Sequence, residues 1–141
     1  MTSPSQPRPS QLLQPQRAPV PARDASTLLL LRDCADGNGF EVLMTRRADQ
    51  GIFANAYVFP GGGQEDEDAA PASHALARVR PSMIAEAGDE RITQALAGIR
   101  ETFEELGILL AYDQAGQPVP PAQVQQLDRK ASLYEDRKSV V

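Results

Sequence analysis

The sequence predicts a mixed α/β domain, and three observations carry that prediction. Residues 26–32 (S-T-L-L-L-L-R) form a short apolar run and residues 40–45 alternate, with turn chemistry between them, so the two read as a hairpin. Ile92, Ala95, Leu96, Ile99, Phe103 and Leu106 recur at helical spacing and would share one face of a helix over about 90–106. A glycine run, Gly61, Gly62 and Gly63, follows a short strand at 56–59 and predicts a loop between sheet and helix.

Each segment has a local reason. The run at 26–32 is continuous, which predicts a strand buried on both faces. Asp36, Gly37, Asn38 and Gly39 are turn formers, and Phe40, Val42 and Met44 alternate with Glu41, Leu43 and Thr45. Arg46 and Arg47 close that strand, and 48–55 is a loop. Leu76, Val79, Met83 and Ile84 suffice for a short helix between 64 and 89. His74, the one histidine, is expected in a solvated loop. Asp89 can cap the long helix, and Gly107 supplies its stop. Residues 108–112 predict a strand, 113–116 a turn, 118–121 extended chain, and 122–134 a weakly amphipathic helix through Val124, Leu127, Ala131 and Leu133.

Composition bounds the rest. The chain of 141 residues is one domain at most, and 41% hydrophobic content is enough for a core. The net charge of −5 argues against a nucleic-acid surface. No run approaches the roughly 20 apolar residues of a membrane span. A single cysteine, Cys34, excludes an internal disulfide and suits a reducing, cytoplasmic setting. Residues 1–23 hold six of the 12 prolines and no apolar stretch of a secretory signal, which predicts a disordered lead-in.

The polar face of the long helix carries the chemistry. Glu101, Glu104 and Glu105 stand at i, i+3 and i+4, so three carboxylates crowd the last turns, where like-charge repulsion and the macrodipole both disfavour them. A divalent cation would offset this, and clustered carboxylates are hard oxygen donors suited to Mg²⁺ or Mn²⁺. Ala97 and Gly98 lie towards the same face, where small side chains would leave room for metal and phosphate.

Together, Y-V-F-P-G-G-G at 57–63 and R-E-T-F-E-E-L-G-I at 100–108 resemble the two halves of the Nudix box, G-x5-E-x7-R-E-U-x-E-E-x-G-U. The likeness extends over about 26–112 and implies an α/β/α sandwich with a mixed sheet. It departs from the box in one respect. The box puts its arginine 14 residues after its glycine, whereas Gly62 and Arg100 are 38 apart (100 − 62), an insertion of about 24 residues. That insertion, at about 64–89, leaves Glu65, Glu67 and Asp68 as candidates for the first box glutamate. A V-F-P-G-G loop, a long insert and R-E-x-F-E-E-x-G-x-L-L together resemble the peroxisomal coenzyme A diphosphatases.

The resemblance implies a divalent-metal-dependent diphosphohydrolase that cleaves a small-molecule substrate X-P-O-P-Y with water. Glu101, Glu104 and Glu105, with the Gly61 carbonyl, would hold Mg²⁺ or Mn²⁺. Glu101 would be a ligand or the base, and Glu105 would belong to the catalytic group with it. Arg100 would hold that group together by ion pairing. Arg46 and Gly62 would meet the substrate. Coenzyme A or an acyl-CoA is the leading substrate. The histidine that precedes V-x-F-P-G-G in the coenzyme A signature is absent from 50–58, so nucleotide sugars and other dinucleotides stay open.

Residues 24–135 would be a partial domain, since no convincing strand follows Tyr112 and the family fold needs further strands and a second long helix. The hexapeptide D-R-K-S-V-V at 136–141 reads as one frame of a sequencing-library adaptor (GAT CGG AAG AGC GTC GTG, then a stop), a non-native tail. Two alternatives follow: a catalytically silent Nudix-like binding module, and an inactive truncated fragment.

Overall fold

The computed structural model describes residues 21–50, 53–78 and 81–134, and within 81–87 the backbone alone. Most of the lead-in, the insert positions Val79, Met83 and Ile84, and the segment 136–141 therefore lie outside the described residues or side chains. The elements are strands β1 (Ala25–Thr27), β2 (Leu31–Asp33), β3 (Phe40–Val42), β4 (Thr45–Arg46), β5 (Tyr57–Val58) and β6 (Gly61–Gly63), with helices α1 (Pro71–His74), α2 (Pro81–Leu106) and α3 (Pro121–Val124). This is the mixed α+β class that the sequence predicts.

The strands pair antiparallel as β1 with β6, β2 with β3, and β4 with β5. Register runs Ser26 opposite Gly62, Arg32 opposite Glu41, and Thr45 opposite Val58. Backbone bonds bridge the gaps: Leu28 N–H donates to Pro60 O, Leu43 N–H to Leu30 O, and Arg47 N–H to Ala56 O. The predicted strand 26–32 is thus bent, its first half paired with β6 and its second half with β3. The turn between β2 and β3 closes as expected, with Cys34 N–H on Gly39 O and Asn38 N–H on the Asp36 carboxylate.

The glycine run differs from expectation, because Gly61–Gly63 is a strand rather than a loop. At Gly61 the backbone has φ of 150°, and an added Cβ would overlap Ser26 O. Only glycine lets β6 lie this close to β1.

Helix α2 packs over the β1–β6 pair. Leu96, Ala97 and Phe103 are fully buried, and Ile92, Ala95, Ile99 and Leu106 are half-buried, so the predicted apolar face holds. The helix is longer than expected. It runs from Pro81 with a break at Gly88 (φ 59°, ψ −159°), and that glycine rather than an Asp89 side-chain cap marks the start of the predicted segment. Gly98 and Ala97 do not leave open room. Ala97 is fully buried, and a Cβ on Gly98 would make ordinary contact with Ser26 and Leu28, so the small residues let helix and strand approach.

Other expectations also change. His74 is half-buried in α1, within 2.9 Å of the Thr93 hydroxyl, and so pins the insert to α2 instead of lying in a solvated loop. Residues 108–112 form no sheet strand. The chain turns back through Gly116 and makes a bridge between Tyr112 and Pro118, while Leu109 and Ala111 bury with Phe103 and Val124. The helix expected over 122–134 is limited to α3; the chain leaves it through a turn after Val124, and a second turn follows where the Asp128 carboxylate accepts Lys130 N–H.

The strand at 26–32 is not buried on both faces. Leu31 and Val42 stand opposite one another, and on their face Leu29, Leu31, Phe40, Val42 and Met44 are exposed. Helix α2 covers the β1–β6 region alone, and nothing among the described residues covers this face.

The core is small and centred on Phe103. Replacing Phe103 by Ala is expected to destabilise the chain by about 3–5 kcal/mol, through lost transfer energy and the cavity left behind. Urea denaturation of the wild type and variant measures this as a lowered midpoint with an unchanged slope.

Candidate active site

The site is built where the end of α2 meets β6. Its centre is Arg100, 3% exposed, and all five guanidinium N–H groups find acceptors. Nε donates to Asp68 Oδ1 at 3.1 Å. Nη2 donates to Asp68 Oδ2 at 3.0 Å and to Gly63 O at 2.7 Å. Nη1 donates to Glu101 Oε1 at 3.2 Å and to Glu104 at 3.3 Å.

Asp68 is as fully satisfied. It is wholly buried, and it accepts from Tyr134 Oη at 2.5 Å and from Glu65 N–H at 2.8 Å besides the two Arg100 bonds. Two lone-pair sites on each oxygen are thereby used. Of the three acids the sequence left open, Asp68 is the one that Arg100 grips, six positions after Gly62; Glu65 lies 3.8 Å from Nη1 and is largely exposed. Glu67 instead accepts from the Ser132 hydroxyl at 2.7 Å.

Burial alone would push the Asp68 carboxyl up, but the hydrogen bonds from Arg100, Tyr134 and Glu65 outweigh it and hold the group below the usual carboxylate range. Burial also acts to lower Arg100, and the Asp68 bond and charge reverse that, so the guanidinium stays charged. Tyr134 is pushed up by burial and by its bond to Asp68, which keeps the phenol protonated and donating.

The three glutamates diverge from this centre. The Glu101 side chain is 18% exposed and lies against β6, where a Cβ on Gly62 would overlap its carboxylate. Gly62 therefore leaves room for the Glu101 carboxylate in this position, and a side chain there would displace it. Glu105 faces a cleft of about 1000 Å³ lined by Thr27, Arg46, Arg47, Phe59, Gly61 and Leu106 among others. Glu104 faces a second cleft of about 460 Å³ with Glu65, Glu67, Arg129 and Lys130. The structure thus brings together Glu105, Gly61 and Arg46, and separately Arg100, Glu101 and Glu104. Among the described residues no three His, Cys, Asp or Glu side chains converge as a preformed metal cluster. Arg46 is held across its loop by Asn55, with Nη2 2.7 Å from Asn55 Oδ1.

Two members of the network escaped sequence reasoning. Asn55 lies in the predicted loop and has φ of 63°, a conformation that asparagine tolerates better than most residues. Tyr134 is 66 residues from Asp68, and no local pattern announces that contact.

Scanned against protein-family models and against curated proteins, the chain matches none. Among solved structures it is similar to the crystal structure of a Nudix hydrolase from Alicyclobacillus acidocaldarius, at 28% identity and a TM-score of 0.65. The alignment covers 87% of this chain, which spans 58% of that protein's length. The fold is a Nudix-type α+β fold, and the likeness supports placement in the Nudix superfamily.

Removing the Asp68 charge has a predictable consequence. Asp68→Asn removes the one fully buried counter-ion of Arg100, leaving Glu101 and Glu104 on Nη1, and is expected to destabilise the chain by about 3 kcal/mol at neutral pH. A depressed native pKa contributes stability above the unfolded value of about 3.9, lost as pH falls through the native value. The gap between wild type and variant in urea titrations should therefore narrow as pH drops below about 4.

Proposed function

We propose that this chain carries the catalytic part of a Nudix diphosphohydrolase that uses a divalent cation to hydrolyse the pyrophosphate bond of a small-molecule substrate. The observation that carries the reading is the cleft in which Glu105, Gly61 and Arg46 meet, on the same helix end whose Glu101 and Glu104 are held by Arg100. It sets anionic oxygen donors and cationic groups next to each other, as a metal-bridged phosphate requires.

The donor chemistry suits Mg²⁺ or Mn²⁺, although the three glutamates are not gathered as a preformed cluster among the described residues. Glu101, Glu104, Glu105 and the Gly61 carbonyl offer hard oxygens only, and Gly62 leaves space for the Glu101 carboxylate at the backbone. When bound, the cation supplies Lewis acidity that offsets charge on phosphate oxygens and makes water a better nucleophile. The chain's own residues do the rest. Arg46, steadied by Asn55, would bind phosphate oxygens in the cleft. Glu101, on the flank of α2, would accept a proton from the attacking water or join the ligand set. Arg100, with every donor used, holds Glu101 and Glu104 and does not itself reach for substrate.

Coenzyme A or an acyl-CoA is proposed as the substrate on resemblance, with nucleotide sugars and other dinucleotides as the competing chemistry. The uncovered face of Leu29, Leu31, Phe40, Val42 and Met44, and the 58% span of the related hydrolase, support reading the chain as part of a larger domain. Contiguous apolar patches of this kind are normally covered.

The test is product release from a panel of diphosphate substrates with Mg²⁺ or Mn²⁺, comparing the wild type with Glu105→Gln and Glu101→Gln. Activity should require the cation and fall by about 10² or more in each variant, while unfolding stays cooperative. Substrate binding that persists without turnover, and is indifferent to both substitutions, would favour a binding module instead.

A further inference from the structure

The segment after α3 takes part in the site although it holds none of the residues assigned above. Three contacts tie it down: Tyr134 Oη donates to Asp68 Oδ1 at 2.5 Å, the Ser132 hydroxyl to Glu67 at 2.7 Å, and Arg129 Nη1 to Glu105 O at 3.4 Å. The phenol bond matters most, because its acceptor is the same oxygen that receives Arg100 Nε. Asp68 is wholly buried, so water cannot substitute for a lost partner without opening the structure.

We propose that Tyr134 is a positioning residue for the acidic site. It fixes the rotation of the Asp68 carboxylate, which fixes the bidentate pairing with Arg100, which sets Nη1 between Glu101 and Glu104. The chain of contacts is continuous, through the phenol bond, the bidentate Asp68–Arg100 pair and the Nη1 bonds to Glu101 and Glu104. Without the phenol, Oδ2 keeps Glu65 N–H and Nη2 while Oδ1 keeps the Nε bond alone, so the Oδ1–Nε arm of the bidentate pair is the one that loosens. Its consequence for metal affinity rests on the diphosphohydrolase reading above.

The alternative is a phenol that merely packs the segment onto α2. Leu133 and Leu127 already pack there against the Phe103 cluster, and Ser132 supplies a separate polar tether. Tyr134→Phe keeps the ring and removes only the hydroxyl, which separates the two roles.

The test uses the full chain and three variants: Tyr134→Phe, Ser132→Ala and Glu101→Gln. Mn²⁺ binding is followed by electron paramagnetic resonance, and hydrogen exchange of the Arg100 Nε–H by ¹⁵N NMR. In Tyr134→Phe the Nε–H should exchange faster and the Mn²⁺ Kd should rise about 10-fold, with unfolding still cooperative. Ser132→Ala should leave both unchanged. Unaltered exchange and Kd in Tyr134→Phe, or a lowered Tm with no change in Kd, would overturn the positioning role; so would loss of cooperative unfolding, which would make the phenol a folding determinant. Glu101→Gln separates the two claims: if it binds Mn²⁺ as the wild type does, the metal-site reading fails, while the Nε–H exchange still decides whether Tyr134 orients Arg100 through Asp68.

Discussion

The acidic flank of the site depends on the buried pairing of Arg100 with Asp68. An arginine at 3% exposure and a wholly buried aspartate would each be strongly unfavourable alone. Here the aspartate accepts four hydrogen bonds and the arginine donates five, so both are carried into the interior with nothing unmatched. The five donations reach the carbonyl of β6, the insert and two glutamates of α2. One guanidinium therefore ties β6 and the start of the insert to α2, 32 to 37 residues further along the chain.

That arrangement also explains the acidic face. Glu101 and Glu104 sit near the C-terminal end of a helix, where the macrodipole is unfavourable, and Arg100 Nη1 between them offsets part of that cost. Glu105 has no such partner and faces the Arg46 cleft. Glycine geometry completes the design. Gly61 allows β6 to approach β1, and Gly62 makes room for the Glu101 carboxylate. These two missing side chains seat the strand that carries the proposed metal-binding carbonyl against β1 and against the acidic helix.

Much of this was legible in the sequence. The apolar repeat from Ile92 to Leu106 gave the buried face of α2, the turn residues 36–39 gave the hairpin, and the box halves pointed to Arg100 and the three glutamates. Other features were hidden for physical reasons. A glycine run has no side-chain pattern, so its pairing with β1 is invisible and a loop is the natural expectation. The continuous leucines at 28–31 suggest burial on both faces, but burial depends on what packs above a strand and not on the strand's own composition. Turns override periodicity after Val124, although the spacing of Val124, Leu127 and Leu133 allows a longer helix. The Tyr134–Asp68 bond lies across 66 residues and could not be inferred locally.

Whether Arg100 and Asp68 act as a single lock is answered most directly by a double-mutant cycle on stability. The chains compared are the wild type, Asp68→Asn, Arg100→Gln and the double variant, each unfolded in urea at neutral pH. A shared lock predicts that the double variant loses far less than the sum of the two single losses, with a coupling of about 1–3 kcal/mol. Losses that add to within about 0.5 kcal/mol would contradict it, and would leave the acidic face without its organising contact.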